Sequence, residues 1–93
     1  MPLTSRQITA QLARLPLWSL RGNRISRTFV FDDFMQGIRI LNRVAGLAEG
    51  VNHHPDVSIR YNKVGLSLTT HDEGGLTKKD FNLAKKINRL ISD

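Results

Sequence analysis

The chain has 93 residues, a formal charge of +6 and no cysteine. That length allows one domain spanning 1–93, and the missing thiol excludes disulfides, thiolate nucleophiles and cysteine-ligated zinc or iron–sulfur sites. No apolar run is long enough to cross a bilayer and none near the N-terminus reads as a signal peptide, so a cytoplasmic protein is expected.

Thr4-Ser5-Arg6-Gln7 has the form of a capping box, a hydroxyl three residues ahead of a glutamine. Ile8, Leu12 and Leu15 follow at helical spacing, and Pro16 ends that helix. Leu17 to Arg21 reads as a short strand, Gly22-Asn23 as a two-residue hairpin turn, and Arg24 to Phe31 as the returning strand. Ile25, Phe29 and Phe31 share one face of it, and Arg27, on the same face, must sit at an edge or reach outward. Arg21, Arg24 and Arg27 form a basic cluster with only Trp18 and Phe29 as nearby aromatics. The positive charge is otherwise spread along the chain, so it reads as a solvated surface, and nucleic acid is not the expected partner.

Asp32 or Asp33 caps a second helix, whose stripe runs through Phe34, Ile38, Leu41, Ala45 and Ala48 with Met35 and Val44 beside it, ending near Gly50. Pro55 opens the next segment. Val57, Ile59 and Tyr61 alternate with Ser58 and Arg60 as in a half-buried strand. Asn62-Lys63 is the expected turn, and Val64, Leu66, Leu68 and Thr70 alternate on the way back. Gly74 and Gly75 mark a loop. Thr77 caps a last helix with Asp80 as the acidic member of a capping box, and Phe81, Ala84, Ile87 and Ile91 line its apolar side, widened by Leu83 and Leu90. The fold class is therefore α+β, in the order α-β-β-α-β-β-α, with a four-stranded antiparallel sheet and three helices packed on one face.

All three histidines lie between positions 53 and 71. With Asn62 and Lys63 at the centre of the turn, Tyr61 faces Val64, Ile59 faces Leu66 and Val57 faces Leu68, so apolar residues meet throughout. Continued outward, this register sets Pro55 against Thr70 and His54 against His71, with α-carbons about 4.5 to 5.5 Å apart. His53 joins them only if the chain bends before Pro55. Imidazole is the side chain best suited to move protons near neutral pH, so a shared acid–base site is the expected use. A metal site is not expected, because adjacent histidines cannot readily aim both rings at one ion. Glu49 reads first as an exposed helix-end residue, although a carboxylate there could hold a histidine tautomer; Asp80 reads first as a cap.

The stretch Glu49, three residues, His53-His54-Pro55, five residues, Tyr61, nine residues, His71, eight residues, Asp80 resembles the signature of the pterin-4a-carbinolamine dehydratases. Tyr61-Asn62-Lys63-Val64, Leu68-Thr69-Thr70-His71-Asp72 and Gly75-Leu76-Thr77 are also similar to that family, with a fainter likeness through Trp18, Phe29-Val30-Phe31 and Phe34. Val57 stands where some members carry an aromatic residue. The resemblance implies a hydro-lyase that converts a 4a-hydroxytetrahydropterin to quinonoid dihydropterin plus water, in support of tetrahydrobiopterin recycling. It implies His53, His54 and His71 as the catalytic set, with His53 and His71 as the acid–base pair and His54 chiefly binding and orienting. Glu49, Pro55, Thr70, Asp72 and Asp80 would bind substrate or orient the histidines. No cofactor or metal is implied, since the pterin is the substrate. The implied assembly is a homodimer or homotetramer without membrane attachment. The alternative is a protein-interaction module, a dimerisation cofactor acting as a transcriptional coactivator.

Overall fold

A computed structural model describes residues 1–91. Thr4 opens the chain's first helix, α1 (Ser5–Leu12), by accepting from the Gln7 backbone N–H at 3.2 Å while the Gln7 side chain accepts from the Thr4 N–H at 2.8 Å. The helix is shorter than its spacing suggests, and Leu15 lies beyond it, buried in the core. Leu17 then adopts a positive φ of 72°, which turns the chain so that Trp18 points inward and Leu17 outward. The sheet follows as β1 (Ser19–Arg21) and β2 (Arg24–Val30), joined at Gly22, whose φ of 61° suits the hairpin.

Helix α2 (Phe34–Val51) starts at Asp33, whose side chain accepts from the Gln36 N–H at 2.8 Å. Strands β3 (Asp56–Arg60) and β4 (Lys63–Leu68) form the second hairpin, a 3-10 turn spans His71–Glu73, and α3 (Lys78–Ile91) closes the described chain. The strands lie in the order β1-β2-β4-β3, every neighbouring pair antiparallel. The α-β-β-α-β-β-α fold is thus as expected.

Alternation decides which side of the sheet is covered. Ile25 and Phe29 of β2 and Val64, Leu66 and Leu68 of β4 are buried with Val44 and Ala48 of α2 and Phe81, Ala84 and Ile87 of α3. Each of these side chains larger than alanine contributes roughly 1.5 to 3 kcal/mol by leaving water. The alternate residues, Ser26, Thr28, Ser58 and Ser67, line a shallow depression with Gly65 on the other face. Among the described residues no helix is long and apolar enough to cross a membrane.

The second hairpin departs from expectation. Its turn is Tyr61-Asn62 rather than Asn62-Lys63, so Arg60 pairs with Lys63, Ile59 with Val64 and Val57 with Leu66. Tyr61 turns outward at a φ of 56° instead of facing Val64. The side chain of Asn62 donates to the Phe31 carbonyl at 2.9 Å, and the Phe31 N–H donates to the Asn62 carbonyl at 2.9 Å, which ties this turn to the end of β2. A slip of two residues keeps every side chain on its own face, so alternation alone could not detect it. The ladder ends at Asp56 and Ser67, and the expected opposition of His54 to His71 is not formed.

Candidate active site

The histidine segment is placed by the end of α2. The helix runs past Gly50 to Val51, and Asn52 takes the left-handed conformation at φ 52°, ψ 45°. The His53 N–H donates to the Ala48 carbonyl at 3.1 Å and the Asn52 N–H to the Glu49 carbonyl at 3.3 Å. This pair of bonds is a Schellman closure, and asparagine is one of the few residues besides glycine that accepts the left-handed position it needs. The bend before Pro55 is therefore built from the helix terminus.

The reversal delivers His53 to the start of α3. Its Nε2 lies 2.6 Å from Oδ1 of Asp80, a residue with no solvent exposure. The other carboxylate oxygen, Oδ2, accepts from the Thr70 hydroxyl at 2.8 Å and from the Thr77 backbone N–H at 2.9 Å. Thr77 and Thr70 hydroxyls meet at 2.9 Å, and the Lys79 N–H donates to the Thr77 Oγ1 at 3.2 Å. Burying a carboxylate costs several kcal/mol unless its lone pairs are met, and here both oxygens are engaged. Asp80 caps α3 as the sequence predicts, and its second oxygen also holds a histidine. Thr77 was expected only as a cap, yet it belongs to this network; the signal in the sequence was the capping box itself, which commits one carboxylate oxygen and leaves the other free.

Thr70 links this network to the third histidine. Its backbone N–H donates to the Gly75 carbonyl at 3.2 Å and its carbonyl accepts from the Gly75 N–H at 3.3 Å, closing a small loop. The loop holds the 3-10 turn that begins at His71, with Gly74 left-handed at φ 77°. His71 and Asp72 are both exposed there, and neither side chain makes a hydrogen bond or ion pair with the His53 group.

His54 makes no hydrogen bond with this group. Its Nε2 lies 2.5 Å from Oε2 of Glu49, and both side chains are exposed, at 53% and 78%. Glu49 thus pairs with His54 rather than with His53. Glu49, His54, Pro55 and Val57 border a mainly apolar pocket of about 180 Å³, with Leu41, Val44, Ala45 and Ala48 of α2 on its other side. Neither His53 nor His71 lines it. Among the described residues no group of three or more His, Asp or Glu side chains is arranged to hold a metal ion.

The basic cluster is dispersed. Arg24 pairs with Asp56 and donates from Nε to the Ser67 hydroxyl at 2.7 Å. Arg27 lies 4.0 Å over the Phe29 ring and donates to Asn88 Oδ1 at 2.6 Å, while burial lowers its pKa from the usual arginine value. Only Arg21 of the three is left exposed.

A small α+β protein with a buried aspartate–histidine couple between two helices is the class that fold and site define. Residues 1–90 match the family described as Pterin 4 alpha carbinolamine dehydratase, and the chain belongs to that family. A relative from Sulfurisphaera tokodaii that carries the family's name is 50% identical over 90 residues, covering 97% of each chain. Another, from Chloroflexus aurantiacus, is 52% identical over 89 residues and covers 96% of each. The crystal structure of a transcriptional coactivator/pterin dehydratase from Brucella melitensis superposes with a TM-score of 0.91 at 34% identity, over 97% of this chain and 98% of that one. A pterin dehydratase-like protein identified as a RuBisCO assembly factor shares the fold at a TM-score of 0.64 and 19% identity.

Proposed function

We propose that the protein is a 4a-hydroxytetrahydropterin dehydratase that works by histidine acid–base catalysis. Family membership supports the reaction class. The observation that carries the assignment of residues is the contact of His53 with fully buried Asp80, 2.6 Å long. A positioned imidazole is well suited to proton transfer near neutral pH, and a buried carboxylate holds one in place.

The chemistry asks for little else. The hydroxyl and a ring nitrogen share one carbon. As the C–O bond breaks, the nitrogen lone pair forms a C=N bond. An acid gives a proton to the departing hydroxyl, and a base takes the N–H proton, so one water leaves and charge balances. His53 and His71 are the acid–base pair in this proposal, His54 orients the substrate with Glu49, and Pro55 and Val57 form the apolar wall beside them. Thr70 and Asp80 act on His53, and Asp72 lies beside His71 in the loop that carries it. The enzyme acts as a homo-oligomer of two or four subunits, since the sheet has open edges through which a second copy can pair.

The test is a dehydration assay on freshly generated carbinolamine. Replacing His71 by alanine is expected to slow turnover by about 10²- to 10⁴-fold with the far-ultraviolet circular dichroism unchanged. An unaltered rate would remove His71 from the mechanism.

A further inference from the structure

We propose that Thr77 is a positioning residue for His53, acting through Thr70 and Asp80 to hold the ring with its proton on Nε2 and its lone pair on Nδ1. This rests on the dehydratase reading for its consequence in catalysis, but not for its geometry.

The protons fix the direction of each bond. A carboxylate only accepts hydrogen bonds. Asp80 is fully buried and meets three donors, the Thr70 hydroxyl, the Thr77 N–H and the His53 ring. A hydroxyl has a single proton, and that of Thr70 is spent on Oδ2 of Asp80. The 2.9 Å contact between the Thr70 and Thr77 hydroxyls must then be donated by Thr77. Thr77 can donate because its oxygen already accepts from the Lys79 N–H at 3.2 Å, which fills one acceptor site and orients the hydroxyl. The chain of donors runs one way, from Lys79 through Thr77 and Thr70 to Asp80.

At the far end the same logic sets the histidine. The 2.6 Å contact needs a donor on the ring side, so Nε2 carries hydrogen. A neutral imidazole has one N–H, which leaves Nδ1 as the lone-pair nitrogen. Nδ1 has no hydrogen bond among the described residues. On the dehydratase reading, Nδ1 is the ring atom left to exchange a proton with the substrate.

Three of these groups are nearly sealed from water: Thr70 is 2% exposed, Thr77 9% and Asp80 0%. Solvent cannot easily replace a missing donor there. Without the Thr77 hydroxyl, the Thr70 proton loses its fixed direction, Asp80 can rotate, and the Nε2–H form of His53 loses its advantage.

Nitrogen-15 spectra of histidine-labelled wild type, recorded where the ring is neutral, test the tautomer directly. An Nε2–H signature for His53 is expected, and an Nδ1–H signature overturns the proposal whatever the activity. In Thr77→Val the signature should become mixed and kcat should fall tenfold to hundredfold, on the order of the effect of slightly misplacing a reacting group, while KM stays within a factor of about two. Thr77→Ser should restore both. If Thr77→Val keeps the wild-type tautomer and kcat, Thr77 has no positioning role. If it fails to fold, Thr70→Ser and Thr70→Val give the same comparison one link nearer the carboxylate. A wild-type protein that shows the Nε2–H form yet turns over no carbinolamine overturns the dehydratase reading alone and supports the donor chain.

Discussion

Two carboxylates touch two histidines in this protein, and exposure separates their roles. Glu49 and His54 meet at 2.5 Å on the surface, where water screens the pair. Such pairs contribute about 0 to 1 kcal/mol. Asp80 and His53 meet at 2.6 Å with the carboxylate fully buried. Glu49→Gln is therefore expected to leave the melting temperature almost unmoved. Asp80→Asn keeps the shape but places an amide where three donors converge, so at least one buried group goes unpaired, at about 1 to 3 kcal/mol. Its dehydration rate should fall by about 10²-fold or more. Thermal melts and the carbinolamine assay on both variants check the contrast, and equal effects at the two positions would refute it.

At the level of the element, alternation and capping were legible and turn geometry was not. Apolar alternation and the Gly22-Asn23 turn signal locate the four strands, and Thr4, the pair Asp32-Asp33 and Thr77 mark three helix starts, Asp33 being the residue of that pair that caps. The β3–β4 turn lies one residue earlier than apolar spacing suggests, a two-residue change of strand partner, because apolar periodicity defines register only modulo two. Tyr61, a bulky residue at a left-handed φ of 56°, is an improbable turn residue by preference, and tertiary ties to Phe31 outweigh that preference. The site was half visible. Three histidines and Asp80 stood out as residue types, but the contact between His53 and Asp80 spans 27 positions and depends on a helix terminus that spacing does not reveal. Asn52 is the hinge of that terminus. Asn52→Gly should keep the fold and the activity. Asn52→Val places a β-branched residue at φ 52°, should cost about 1 to 2 kcal/mol, and should lower kcat by shifting His53. Retained activity in the valine variant would show that the closure does not position the ring.

On the scale of the whole molecule, the sheet divides the protein into a packed side and an open one. β1 pairs with Arg24 to Ser26 only, so among the described residues the outer backbone of β2 from Arg27 to Val30 has no strand against it. Leu17, Val30, Phe34 and Met35 are large apolar residues left exposed, three of them at more than half of their surface. An unpaired strand edge with apolar neighbours favours association with a second copy. Light scattering at assay concentration should therefore give two or four times the chain mass of 10.5 kDa. A species of 10.5 kDa that retains full turnover would refute the oligomeric proposal.

Asp80 serves the helix and the histidine with different oxygens. A lineage released from selection for turnover could discard exposed His71 at little cost to folding, whereas losing the aspartate would also take one of the caps from α3. In descendants that have drifted into other work, Asp80 would outlive the chemistry as a scaffold fossil, and its presence alone would say nothing about whether the reaction survives.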